Sequence, residues 1–441
     1  MTRWHRIFWI GCGLCLLASC AETDPSTGTL GDPQLGDTDQ AGDSYQFGDT
    51  LPGDAQPGDA QSGDAQSGDA DLTGDGIPTT MFGLSAGRNH GFALMADGTV
   101  YGWGSNTYGQ VGVGDQADTY TPSACILPGP AKQVDGGGYH TLFLLTDGTV
   151  WGAGDNVYGQ LGSTDAVFAD AYDLAITPVK AHDLANIQQI SAGFFYSLAL
   201  TAEHTVMAWG DNSKGERGDA IVGERLTPQE IPALTHVVEI AAGFEHTVVR
   251  LANGEVRAWG WNVAGQLGNG TVNEWEDVVY EPQVVQGIST AIQVVAGWRV
   301  SAALLADKSV VAWGRNEEGE LATGSFLPEY STVPVAIPIS EPVAKIAVGY
   351  YHFMALLEDG RVMVWGDNEY GQLGNNTEGP DSPDPVFAQG ISTAVDIAAG
   401  RDFCVARLAD GTVMAWGDNI WGQLGSGDDV DHIIPEPVSI P

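Results

Sequence analysis

Four histidines, His90, His140, His246 and His352, recur in one register of the chain, each three residues after a glycine. Imidazoles in a repeating frame are the side chains that would build a metal centre or supply a general base. The same register holds Tyr196, Val300 and Phe403 elsewhere. A position that accepts valine and phenylalanine reads as strand packing, so no metal ligand and no catalytic base is assigned to it. Asp155, Asp211, Asp367 and Asp418 precede loop asparagines in parallel positions and read as turn caps rather than paired acids. The chain has no Gly-x-Ser-x-Gly elbow and no phosphate loop. No catalytic residue and no cofactor is expected.

A second set of residues follows the same glycines. It comprises Arg88, Tyr139, Phe194, Phe195, Phe244, Trp298, Arg299, Tyr350, Tyr351 and Arg401, joined by Trp261 and Trp421 from later loops. Aromatic and arginine side chains dominate binding hot spots. They are costly to leave exposed without a purpose. Two readings stay open at this point: a binding rim, or side chains folded inward as spacers between repeats. Tyr108, Tyr158 and Tyr370 repeat at one place and read as structural.

The elements that must position these residues come from a repeat that fills the chain after residue 80. Trp-Gly, once Ala-Gly, recurs at Trp103, Ala153, Trp209, Trp259, Trp313, Trp365 and Trp416, at intervals of 50 to 56 residues. Around each lies one grammar. An apolar strand ends in small residues and glycine, as in Glu239 to Gly243. A second apolar strand follows, then Asp-Gly or Asn-Gly, then the strand bearing Trp-Gly. Next come an Asn-x-x-Gly-Gln-Leu-Gly loop and a proline-flanked strand. Asp-Gly between short apolar runs is the strongest local hairpin signal. No four-stranded unit buries both of its faces alone, so such units stack around an axis. The expectation is an all-β, seven-bladed β-propeller with four antiparallel strands per blade. Repeat three has Glu203-His204 in place of Asp-Gly, so its hairpin should be less well formed. Repeat two has Ala153 in place of tryptophan, with Trp151 two residues earlier as the substitute.

This pattern resembles the repeats of the regulator-of-chromosome-condensation family across about four-fifths of the chain. The resemblance implies seven blades. The family's founding member is a nuclear exchange factor for a small GTPase that also binds nucleosomes. Its wedge-like insertion and its basic tail have no counterpart here, so exchange activity is not expected. Secreted bacterial members include an inhibitory protein that presents aromatics on one propeller face, which supports a general mode of binding and no particular partner.

Residues 1–19 read as a secretory signal: Arg3 and Arg6, an apolar run from Ile7, then Leu17-Ala18-Ser19-Cys20. The last four residues look like a bacterial lipobox, which makes Cys20 the lipidated residue. Ala21 after it favours the outer membrane by enterobacterial sorting. Residues 20–79 read as an acidic, Gly/Asp-rich disordered tether, and residues 80–441 as the propeller. Asp71 to Gly76 partly match a calcium loop, but Phe82 stands where the bidentate acid is needed. Cys125 and Cys404 lie in the first and last repeats, which a ring would make neighbours. A bridge between them is left open.

With 17 Lys+Arg against 57 Asp+Glu, the formal net charge is −40. That balance opposes nucleic-acid binding and docking on anionic lipid through the folded surface. The sequence therefore points to a monomeric, non-catalytic binding module in the cell envelope or outside the cell. It meets the membrane only through its anchor and takes a protein partner. Two alternatives stand beside this reading: a structural or adhesive protein that binds cell-wall glycan, and a carbohydrate-active enzyme.

Overall fold

The computed structural model describes residues 81–164, 173–221, 223–232, 234–275 and 277–441. Cys20, the tether and the partial calcium loop lie outside the described residues. Seven four-stranded antiparallel sheets follow one another along the chain, each built from four consecutive strands. The first blade runs from Met81–Ala86 to Thr119–Ala124, and the last from Ala394–Ala399 to His432–Val438. The first strands of neighbouring blades pack side by side, and that of blade 7 meets that of blade 1. The ring is thus a seven-bladed propeller in one circuit. No strand is exchanged at closure, because the outermost strand of blade 7 pairs within its own sheet.

Each hairpin between second and third strands keeps one register, such as Leu94 opposite Val100 and Leu144 opposite Val150. Gly98 and Gly148 turn these corners with φ of 85° and 81°, a region L-residues rarely enter. The third hairpin corrects the sequence expectation. Leu200 pairs with Val206 as in every other blade, and His204 takes the left-handed turn itself at φ 64°. Its Nδ1 lies 2.9 Å from the Val237 carbonyl of the next blade, which holds the turn in place.

What welds blade to blade is a shared acceptor. The buried indole N–H groups of Trp209, Trp259, Trp313, Trp365 and Trp416 donate to the backbone carbonyls of Gln160, Glu216, Gln266, Glu320 and Gln372, at 2.7 to 2.9 Å. Each acceptor belongs to the long loop of the preceding blade. Trp103 closes the circle by donating to Gln423 of blade 7. Hydroxyls on the second strands of Ser197, Thr247 and Ser301 share three of these carbonyls. Blade 2 lacks the indole, and Trp151 does not replace it. Its Nε1 donates to Thr149 Oγ1 in the turn just before its strand, and the ring is only half-buried. Ala153 instead leaves space that Phe92, Phe143 and Val134 fill, with Pro178 closing over Gly112.

Around the axis, the innermost strands interlock through side chains. Gln133, Gln189 and Gln293 each exchange two hydrogen bonds with the backbone of an isoleucine in the next blade, Ile190, Ile240 and Ile346. At closure Asp396 does this work. Its carboxylate accepts from the Leu84 N–H of blade 1 at 3.1 Å and from Lys345 Nζ of blade 6 at 2.7 Å. The outer edges are blunted. Every fourth strand carries a proline, among them Pro122, Pro178, Pro228, Pro282 and Pro334. Cys125 and Cys404 are both free thiols, packed into different blade interfaces, so the ring is not closed by a bridge.

Asp396→Ala should leave the buried Leu84 N–H and the Lys345 ammonium without their acceptor. A loss of about 3 kcal/mol in urea unfolding is expected. Asp396→Asn, which keeps one oxygen for Leu84, should recover part of it. Equal stability of all three proteins would show that closure does not depend on this carboxylate.

Candidate interaction surface

The long loops are set by one buried asparagine each. Asn156 Oδ1, for example, accepts from Leu161 N–H, and Asn368 Oδ1 from Leu373 N–H. In blades 2, 6 and 7 the preceding aspartate caps the loop and receives Nε2–H of the loop glutamine: Gln160 to Asp155, Gln372 to Asp367, Gln423 to Asp418. These aspartates are thus engaged in turns. Burial raises Asp155 to about 6 and Asp418 to about 7. Blade 5 exchanges the pair for Arg315 and Glu320, joined at 2.6 Å. Blade 3 has Glu216 in the glutamine position beside Asp211. Burial, with the Asp211 charge next, drives the Glu216 carboxyl well above its ordinary range. Its carboxyl oxygen accepts from Lys214 N–H at 2.9 Å, the bond that the glutamine oxygen accepts in its sister loops.

The four histidines are structural donors. Thr141 Oγ1 gives its proton to the Gln110 carbonyl at 2.8 Å, so it must accept from His90 Nε2–H at 3.1 Å. His140 and His246 do the same to Ser197 and Ser301 of the following blades. His352 Nε2 lies 3.1 Å from Cys404 Sγ. Burial holds His352 down to about 3 and pushes the Cys404 thiol well up, the opposite of a thiolate–imidazolium nucleophile. Among the described residues, no three His, Cys, Asp or Glu side chains converge to hold a metal.

On the same end of the axis, the short connections between first and second strands form a ring. Their backbones join across blades: Arg88 N–H to Gly137 O, Gly138 N–H to Gly193 O, Phe244 N–H to Gly297 O, Tyr350 N–H to Arg401 O, and Arg401 N–H to Arg88 O. Their side chains run in contact around the axis. The Arg88 guanidinium lies 4.8 Å from the Tyr139 ring centre. Tyr139 meets Phe194 and Phe195, Phe194 meets Phe244, and Phe244 meets Trp298. Trp298 then meets Tyr351 at 5.0 Å, and Tyr351 meets Tyr350, over which Arg401 lies.

The structure therefore brings the expected residues together but does not present them equally. Arg88, Phe194, Phe244, Tyr350 and Trp261 are buried. Tyr139, Phe195, Trp298, Arg299, Tyr351, Arg401 and Trp421 are half-buried and face outward in part. In the connections that hold Phe194-Phe195 and Tyr350-Tyr351, one aromatic ring of the pair is buried and the other is half-buried. Sequence reading missed Lys214, Trp275 and Arg315. Arg315 lies 5.1 Å from the Trp298 ring and 4.8 Å from that of Tyr351. The signal for Lys214 and Arg315 was their departure from the repeat: Lys214 stands where Tyr158 and Tyr370 do, and Arg315 where aspartate is usual.

Seven blades in one circuit, with this loop grammar, match known proteins. The sequence pattern of the RCC1-like domain matches residues 221–441. That of the regulator of chromosome condensation (RCC1) repeat matches residues 97–144, and a second form of it residues 83–110, 131–160 and 187–216. The chain belongs to the RCC1 repeat family. It is 30% identical over 361 residues to the ultraviolet-B receptor UVR8 of Arabidopsis thaliana, covering 81% of this chain and 82% of the receptor. It is 32% identical over 375 residues to the secretion-regulating guanine nucleotide exchange factor of Mus musculus, covering 78% and 79%. The human WBSCR16 structure superimposes with a TM-score of 0.69 at 26% identity, over 78% of this chain and 95% of that one. Prp20p of Saccharomyces cerevisiae superimposes with a TM-score of 0.71 at 24% identity, over 79% and 87%, and shares the RCC1 propeller fold.

Glu216 offers a check on the loop chemistry. An acid whose folded pKa is raised keeps its proton in the folded state, so stability falls as pH rises above the unfolded value. Glu216→Gln should raise urea stability at pH 8 by about 1–3 kcal/mol and change it little at pH 4. An equal effect at both pH values would show that Glu216 is ionised in the fold.

Proposed function

We propose that this RCC1 repeat protein is a non-catalytic binding module of the cell envelope, tethered by lipid on Cys20, whose aromatic and arginine ring engages a protein partner. The observation that carries the reading is the ring itself. Tyr139, Phe195, Trp298, Tyr351 and Trp421 keep part of their surface toward solvent at one end of the axis. The outer strands, by contrast, carry prolines that obstruct strand addition. Rigid aromatic anchors on a fixed scaffold lose little entropy on binding. Proteins of similar fold are described in complexes: one structure has Kap60 bound to yeast RCC1, and another concerns the binding of Prp20p to Gsp1p and histones. The fold alone is taken from these. The acidic balance, net −40, disfavours a nucleic-acid partner.

Trp298→Ala, Tyr351→Ala and Trp421→Ala in the full chain should each weaken capture of the partner from envelope extract by about tenfold or more, with unchanged urea midpoints. Capture that survives all three, or that is competed by cell-wall glycan instead of protein, would move the function to wall adhesion. The anchor has its own check. An alkyne-palmitate label should appear on the wild-type chain and vanish in Cys20→Ser, which should leave the membrane fraction. A label that persists in Cys20→Ser would remove the anchor.

A further inference from the structure

At the junction of blades 3, 4 and 5, three departures from the repeat meet. Lys214 replaces a tyrosine, Trp261 replaces an aspartate, and the loop after Trp261 carries Trp275, whose indole stands edge-on to Trp261 at 4.6 Å. Arg299 lies over all three tryptophans of this corner, 4.0 Å from the Trp298 ring centre, 4.5 Å from that of Trp261 and 5.4 Å from that of Trp275. Among the seven short connections, this is the one with a residue held at positive φ, Arg299 at 59°. Such backbone strain gathers at functional positions.

The charged side chains that lie over these indole rings are donors. Lys214 Nζ lies 5.6 and 5.5 Å from the Trp261 and Trp275 ring centres, and its ammonium has no ion pair or hydrogen bond among the described residues. The indole N–H groups of Trp261 and Trp298 are buried without an acceptor. Glu245 is engaged within the fold, and Asp211 accepts from Asn212 and Ser213. Buried indole donors beside an ammonium favour an acceptor that carries negative charge. The chain's own occupant of the corner hints at the rest of the ligand: Trp275 is an exposed aromatic residue flanked by the exposed Glu274 and by Asp277.

We infer that this corner of the ring is the docking point for an acidic, aromatic-bearing segment of the partner, which displaces Trp275 and brings carboxylate oxygens to Lys214 and to the indole N–H groups of Trp261 and Trp298. The inference rests on the binding reading above and specifies its chemistry. Charge makes it stringent. A domain with so large an acidic excess repels an acidic peptide at long range, so non-specific attraction cannot imitate the effect, and added salt should not abolish it.

The test follows the tryptophan indole N–H signals of the full chain, ¹⁵N-labelled at tryptophan, during titration with the unlabelled peptide acetyl-Glu-Trp-Glu-Asp-amide. Assignments come from Trp261→Phe, Trp275→Phe and Trp298→Phe. The signals of Trp261, Trp275 and Trp298 should shift, while those of Trp209, Trp259 and Trp313, already hydrogen-bonded between blades, stay in place and report that the fold is intact. Lys214→Met should weaken binding about tenfold, a loss of about 1.4 kcal/mol, and Lys214→Arg should largely restore it. The inference fails if no signal moves by about 5 mM peptide, a free energy of only about 3 kcal/mol. It also fails if acetyl-Lys-Trp-Lys-Lys-amide produces the same shifts. Either failure leaves the partner-capture experiment with Tyr351→Ala and Trp421→Ala to judge the wider reading on its own.

Discussion

One backbone carbonyl per blade organises this molecule. A buried tryptophan brings much apolar area to a blade interface, but its N–H must find an acceptor, or the burial loses about 1–3 kcal/mol. The carbonyls of Gln160, Glu216, Gln266, Glu320, Gln372 and Gln423 meet that need from the neighbouring blade. To present the carbonyl, the loop must be fixed, and the buried asparagine fixes it. The carbonyl has two lone pairs, so a serine or threonine hydroxyl can share it, and that hydroxyl in turn accepts from a histidine of the preceding blade. At two interfaces, those of His140, Ser197 and Trp209 and of His246, Ser301 and Trp313, indole, hydroxyl and imidazole form one chain of donors. The chain needs a neutral imidazole, which burial supplies by holding His90, His140, His246 and His352 near a pKa of about 3. The histidines that first suggest a metal or a base are in fact the hinge pins of the ring.

Much of this was legible in the sequence because repetition turns weak signals into a pattern. Trp-Gly with Asp-Gly and Asn-x-x-Gly fixed blade number, strand order and the face on which the variable loops meet. What repetition could not show was how each departure is absorbed. Trp151 has the right type two residues away, yet it packs half-buried at the margin of the cluster, and two phenylalanines fill the vacancy instead. His204 forms a hairpin that propensity argues against, because a contact from the next blade holds its left-handed turn. Both outcomes depend on neighbours about 30 to 60 residues distant, beyond the reach of local pattern.

The same limit explains the mixed fate of the ring residues. Their register placed them on one end of the axis. Which of two adjacent side chains turns inward depends on the size of the space left by the blades on either side, and so Phe194 and Tyr350 are buried while Phe195 and Tyr351 look partly outward. The residues that give the surface its chemistry depart from the repeat: Lys214 takes a tyrosine position, Arg315 an aspartate position, and Trp275 lies in the loop that follows Trp261. In a repeat protein the shared residues build the scaffold, and the functional character sits where one blade breaks the rule.

The two ends of the propeller also differ in how they hold charge, and this bears on how so acidic a chain could receive any acidic ligand. At the hairpin end, Asp147, Asp307, Asp359 and Asp410 sit in exposed turns where hydrogen bonds from the residues that follow keep their carboxyls below the usual range, so they stay ionised. At the ring end, burial works in the other direction. Asp155, Glu216, Asp367 and Asp418 are all raised, and partial burial raises the half-buried Glu318 to about 7. Arg88, Arg299, Arg315 and Arg401 gather there too. Burial thus pushes the carboxyls of the ring end up, while hydrogen bonds hold those of the hairpin end down. Burial of carboxyls in the long loops, required to cap them, thus disfavours their charge at the end of the axis where the aromatic and arginine ring lies.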